Sequence, residues 1–145
     1  MTIITHALAT TLGVRVLKLT GSDVVLAYVF GVGVDIDHAI KAPFYLRHVG
    51  RKRQLGYYWR TSLQEPVALL WIIPLCFLIG TWVPALFFLI HLAMDYSVGY
   101  EKMPWYPYSP VVTQGFMVGI SDKTKELVLV VVLICMNLLL FLAPL

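Results

Sequence analysis

This chain is short of charge. Only 13% of its 145 residues are Asp, Glu, Lys or Arg, where a soluble domain carries about 25%. With 59% hydrophobic residues and a mean hydropathy of +0.80, polar side chains cannot coat a water-facing surface. That argues against an ordinary soluble domain and for lipid as the solvent. Cysteine is scarce as well. Cys76 and Cys135 both lie inside apolar runs, with no CxxC pair, which leaves no disulfide framework and reads as small packing residues. The opening stretch lacks a basic region, and His6, Arg15 and Lys18 interrupt its apolar pattern, so it does not read as a secretory signal. No lipidation motif, internal repeat or low-complexity tract is present.

What is there is a series of apolar segments, at about 3–19, 24–40, 66–80, 85–98 and 126–145. Thr20-Gly21-Ser22-Asp23 separates the first pair, and Thr81-Trp82-Val83-Pro84 the third and fourth. These are turn compositions, and Trp82 suits an interface. Gly31 and Gly33 are small residues that let helices approach closely. The last segment has no charge after Glu126 and the roughly 20 residues a helix needs to cross about 30 Å of hydrocarbon. The first four hold 14–17 residues, a length that also suits buried helices. Residues 111–125 are mixed and suit an interfacial helix. The expected architecture is all-α: one membrane-embedded domain over residues 1–145, a polytopic transmembrane bundle of about five helices.

The distribution of charge supports the segmentation. Lys41, Arg47, Arg51, Lys52, Arg53 and Arg60 fall in one window, and Lys102, Lys123 and Lys125 in later polar stretches. A basic stripe can mean nucleic acid, but between apolar segments it reads as a cytoplasmic loop, and no nucleic-acid partner is expected. With the N-terminus in the cytoplasm, nine of the eleven Lys and Arg fall inside and only Arg15 and Lys18 outside. Tyr57, Tyr58, Trp59, Trp105, Tyr106 and Tyr108 read first as interface anchors. The expected location is a bacterial or archaeal cytoplasmic membrane.

Against that background the ionisable residues inside apolar segments stand out, because such groups are costly in a membrane and are usually paired or functional. His6 opens the first segment. Asp35-Ile36-Asp37-His38 ends the second, and on a helix Asp35 and His38 share a face. Glu65 precedes the third, where Ser62 and Glu65 also fit a helix-start capping box. His91 and Asp95, four apart in the fourth, point the same way on a helix. Each has a plainer reading: an interfacial His6, a polar end at Asp37, a satisfied His91–Asp95 pair. His48, without an acidic neighbour, is a loop residue. In the N-in topology the others meet at one cytoplasmic end of the bundle. His6, Asp35, His38, His91 and Asp95 then form a nitrogen and oxygen donor set for a divalent metal, zinc first, with manganese or iron as alternatives.

Thr5-His6-Ala7, Gly33-Val34-Asp35-Ile36-Asp37-His38 and His91-Leu92-Ala93-Met94-Asp95 followed by a proline-containing loop resemble the YdjM-like membrane-bound metal-dependent hydrolases. That family is distantly similar to zinc-dependent phospholipase C and the P1-type nucleases. The resemblance spans roughly residues 2–110. Two departures accompany it. Val34 stands where the family's PDIDH motif has proline, and Trp59-Arg60-Thr61-Ser62-Leu63-Gln64-Glu65 lacks both histidines of the HRG-x-THS motif. Either Glu65 replaces a histidine ligand or fewer ions are bound. The resemblance implies a helical fold, a metal site and hydrolysis of a phosphoester, in a lipid or lipid-linked substrate.

The expected roles follow. A metal on the five donors activates water and polarises a phosphoryl oxygen. Asp37 or Glu65 serves as a further ligand or general base. Arg47, Arg51 and Arg60, with Lys52 and Arg53, hold phosphate or anionic lipid, or only fix topology. Two other classes stand beside the enzyme: a metal-stabilised membrane scaffold or partner subunit, and ion transport through the carboxylates.

Overall fold

A computed structural model describes residues 2–36, 40, 62–97, 105, 108–109, 111 and 119–142. Among the described residues the chain is all helical. Its α-helices are α1 (Ile3–Val16), α2 (Ser22–Gly31), α3 (Leu69–Ile79), α4 (Val83–Ser97) and α5 (Asp122–Leu142). Short 3-10 turns cover Gly33–Asp35, Ser62–Gln64 and Pro66–Ala68.

Among the described residues only α5 is long and apolar enough to cross a membrane; its span runs over Lys123–Leu142. The longest of the others, α4, has 15 residues. At 1.5 Å per residue it reaches about 22 Å, short of a hydrocarbon core of about 30 Å. Among the described residues five α-helices are present, and span length is met by one.

Two helix ends differ from the hydropathy boundaries for backbone reasons. α1 stops at Val16 because Lys18 takes a left-handed conformation, φ 51°. Lys18 N–H then donates to Arg15 O and Leu19 N–H to Val14 O. That is the Schellman closure, with lysine in the position glycine usually fills. α2 stops at Gly31, well before residue 40. Val32 leaves helical geometry at φ −129°, ψ −44°, and Asp35 N–H donates to Val32 O. Gly31 and Gly33 bracket the break, and glycine is among the weakest helix formers. Asp35 accordingly sits in a 3-10 turn and not on a continuing α-helix.

α4 lies at the centre, packed against α1, α2 and α3. Phe87 and Phe88 are completely buried on it. Phe88 and Leu92 meet Ala68, Ile72 and Cys76 on the α3 side. Phe87 and Val83 meet Ala27, with Val14, Leu19 and Phe30 around them. Gly13 makes the α1–α4 approach possible, since a Cβ there would come within 2.9 Å of the Phe87 ring. α5 packs on α1. Glu126 meets Thr2 and Thr5, while Asn137 meets Leu8 and Arg15, so α1 and α5 run parallel. Cys76 is buried as a packing residue, whereas Cys135 is exposed on α5, which corrects the expectation for the second cysteine.

Candidate metal centre

The site gathers the start of α1, the turn after α2, the segment leading into α3 and the last turns of α4. Each contributes a polar side chain that the surrounding apolar packing cuts off from water. His6 and His91 are each 1% exposed, Asp35 5% and Asp95 6%. His6 Nε2 stands 3.6 Å from Asp35 Oδ2 and 3.3 Å from Asp95 Oδ1. His91 Nε2 stands 3.7 Å from Asp35 Oδ1. The two imidazoles stack, with centroids 4.0 Å apart and planes 17° from parallel.

These separations compare with two kinds of contact. A charge-assisted hydrogen bond between imidazolium and carboxylate closes to about 2.7–2.9 Å. Two donors on one tetrahedral zinc ion, each about 2.0–2.1 Å from it, stand about 3.3–3.4 Å apart. The observed 3.3–3.7 Å lies beyond the first spacing and near the second. His6 Nε2, His91 Nε2 and Asp35 Oδ2 are buried with no hydrogen-bond partner among the described residues. Unsatisfied buried polar atoms are costly, and a cation shared by these side chains would satisfy them. His6, Asp35 and His91 each offer a donor atom within 4.8 Å of the other two, and the group could hold a metal ion. Asp95 reaches the group through His6, outside that mutual set.

Outer contacts orient the donors, as polar shells commonly do around metal ligands. His91 Nδ1 lies 3.1 Å from Gly31 O. A carbonyl can only accept, so Nδ1 carries the proton and Nε2 presents its lone pair. Gln64 Nε2 donates to Asp35 Oδ1 at 3.4 Å.

Glu65 is a buried carboxylate, 1% exposed. Its Oε2 accepts a 2.9 Å hydrogen bond from Tyr96 O–H. As the residue preceding the Pro66–Ala68 turn it makes no side-chain cap bond there. Glu65 thus faces the protein interior next to Gln64, outside the mutual donor group.

Of the sequence candidates, the fold brings His6, Asp35, His91 and Asp95 together and places Glu65 close by in the chain. Asp37, His38, Arg47, His48, Arg51 and Arg60 lie outside the described residues, as do Lys52, Arg53 and most of the expected interface aromatics. Gln64, Tyr96 and the Gly31 carbonyl escaped sequence reasoning. Gln64 and Tyr96 are direct neighbours of Glu65 and Asp95, which was the available signal. A backbone carbonyl has none.

Compared with family models, curated proteins and solved structures, the chain matches none of them.

Proposed function

We propose that this chain is a membrane-embedded, metal-dependent hydrolase that cleaves a phosphoester in a lipid or lipid-linked substrate at the cytoplasmic surface. The observation carrying the metal reading is the His6–Asp35–His91 triad, buried and mutually close, with a polar atom on each side chain that lacks a hydrogen-bond partner among the described residues. Two histidines and one carboxylate form a three-ligand set, the type that leaves a position open for water in catalytic zinc sites. When bound, the metal lowers the pKa of that water and polarises a phosphoryl oxygen. Zinc is the first choice; manganese and iron suit the same donors.

The chain's own residues then divide the work. Asp35, held by Gln64, and the two histidines fix the ion. Asp95 orients or supplements His6. Glu65, steadied by Tyr96, is the general base, with Asp37 as the other candidate. His38 would add a ligand. Arg47, Arg51 and Arg60 would hold the anionic headgroup. The phosphoester chemistry rests on the resemblance of the DIDH and HxxxD segments to membrane-bound hydrolases.

The polytopic membrane reading is supported by the surface. Trp71, Phe77, Leu78, Leu139 and Phe141 are each at least two-thirds exposed. The apolar window of α5 is only 11% buried, unlike the core helix of a soluble protein. Such a surface suits lipid around it. The shorter helices reach across with the help of flanking residues or a locally thinner bilayer.

One observation favours a second reading. Asp95 lies 3.3 Å from His6 Nε2 and could close the shell as a fourth ligand. A closed four-ligand shell is the structural type, which would make the protein a metal-stabilised scaffold or partner subunit. Purified protein in mild detergent, loaded with zinc or manganese and assayed against phospholipids, lipid phosphates, nucleotides and nucleic acid, separates the two. Hydrolysis abolished by Asp35→Asn supports the enzyme; metal-loaded protein inert on all four substrate classes supports the scaffold.

A further inference from the structure

The break at the end of α2 does two things at once. In a continuing α-helix the Gly31 carbonyl would accept from Asp35 N–H, four residues on. Here Asp35 N–H donates to Val32 O instead. The Gly31 carbonyl accepts the Nδ1 proton of His91. The same change of hydrogen-bonding pattern carries the Asp35 carboxylate to the site, 3.7 Å from His91 Nε2.

That geometry depends on α1. Gly31 is buried against Thr10, itself 1% exposed. A Cβ on residue 31 would overlap Thr10 Oγ1 and stand 3.3 Å from its Cγ2 and 3.4 Å from its Cβ. Thr10 is one helical turn after His6. The α1–α2 contact therefore sets the position of the carbonyl that His91 reads, four residues from the next donor. His6 differs: both of its ring nitrogens lack a hydrogen-bond partner among the described residues, so no hydrogen bond from those residues selects its tautomer.

We propose that Gly31 is a positioning residue: its carbonyl, released by the 3-10 turn and seated by Thr10, fixes His91 as the Nδ1–H tautomer and so presents Nε2 as a metal donor beside Asp35. The metal part rests on the function proposed above; the tautomer part does not. Alanine is the better helix former, so any loss caused by Gly31→Ala comes from the collision with Thr10 and not from backbone propensity. Removing Oγ1 and Cγ2 with Thr10→Ala leaves a contact at 3.4 Å, an ordinary van der Waals distance. Thr10→Val keeps the branch and the collision.

Two readouts test this. Imidazole nitrogen NMR of metal-free wild-type protein in detergent should find neutral His91 protonated at Nδ1; an Nε2–H tautomer there overturns the proposal, whether or not any variant folds. Zinc affinity, measured by chelator competition, should fall at least about tenfold in Gly31→Ala, the range typical for loss of an outer-shell partner. Gly31→Ala/Thr10→Ala should recover to within about threefold of wild type, while Gly31→Ala/Thr10→Val should not. A Gly31→Ala protein with wild-type affinity, or a folded Thr10→Ala double variant without recovery, overturns the positioning role. Wild-type protein that takes up no zinc while His91 is Nδ1–H refutes the metal reading and leaves the tautomer assignment standing.

Discussion

The imidazole of His6 lies flat on that of His91, 4.0 Å between ring centres, and the pair brackets a single carboxylate. His6 Nε2 faces one oxygen of Asp35 and His91 Nε2 the other, at 3.6 and 3.7 Å. Two helices and a 3-10 turn, far apart in the chain, thus present three donors to one point in a dry interior. A packing role for these residues would leave polar atoms unsatisfied there, at a cost of roughly 1–3 kcal/mol each.

Metal removal should therefore destabilise the fold. Protein purified in mild detergent is expected to carry a divalent ion by elemental analysis, and chelation should lower its unfolding temperature. Ligand held at a hundredfold its Kd contributes about 2.7 kcal/mol to stability, enough to shift a melting curve visibly. Asp35→Ala should abolish the ion's effect on the curve. Melting curves that superimpose with and without chelator, in protein free of bound metal, would count against the site.

Of the expected donor set His6, Asp35, His38, His91 and Asp95, all but His38, which lies outside the described residues, come together, and the sequence makes that legible because it needs only helix order and alternating direction. Asp95 and His91 share a face at i, i+4 spacing, and α4 forms as the pattern predicts. The backbone route to Asp35 was not legible. Hydropathy runs through Gly31–Val34 without interruption, whereas the helix stops where Val32 turns out of α geometry. Composition does not record which peptide N–H a carbonyl loses. The capping-box reading of Ser62 and Glu65 fits the sequence equally well, yet Glu65 is buried with Tyr96 as a partner. Sequence spacing cannot tell a carboxylate turned inward from one at a helix start.

Asn137 was also missed, since one amide in an apolar span resembles an accident. It joins α5 to α1: the side-chain Nδ2 donates to Leu8 O at 3.1 Å, while the backbone carbonyl of the same residue accepts from Arg15 Nη1 at 3.2 Å, so only the first bond depends on the side chain. Polar contacts of this kind between membrane helices are worth about 0.6 kcal/mol on average and up to about 1.7. Asn137→Leu should lower stability in detergent by that order while leaving metal content unchanged, because Asn137 touches none of the donors. Loss of metal in a folded Asn137→Leu protein would mean that α5 helps to shape the site.

The membrane reading makes a separate prediction. The protein should remain with membranes after alkaline carbonate washing. A cysteine placed at Gln54, in the basic stretch between the second and third apolar segments, should resist impermeant thiol reagents in intact cells and react after lysis, as a positively charged cytoplasmic loop requires. The native Cys135 is exposed on α5 and is replaced by serine first. Efficient labelling at position 54 from outside would reverse the orientation and put the donor cluster on the opposite side.

The role of Glu65 gives the sharpest division between catalysis and binding. It is buried, close in sequence to the residue that holds Asp35, and hydrogen-bonded to Tyr96, yet it lies outside the mutual donor group. If it acts as a general base, Glu65→Gln should keep the metal and lose turnover by about 10²–10⁴-fold, the usual contribution of positioned proton transfer. The amide retains the shape and can still accept from Tyr96, so a large loss of stability is not expected. Tyr96→Phe removes one hydrogen bond to the carboxylate, worth about 1.5–3 kcal/mol for a charged acceptor. The expected result is a smaller fall in rate than in Glu65→Gln, with metal content unchanged. Parallel loss of metal and activity in Glu65→Gln would assign Glu65 to the coordination shell instead. Activity unchanged in Glu65→Gln would remove it from the chemistry and leave Asp37 as the remaining acidic candidate for the base.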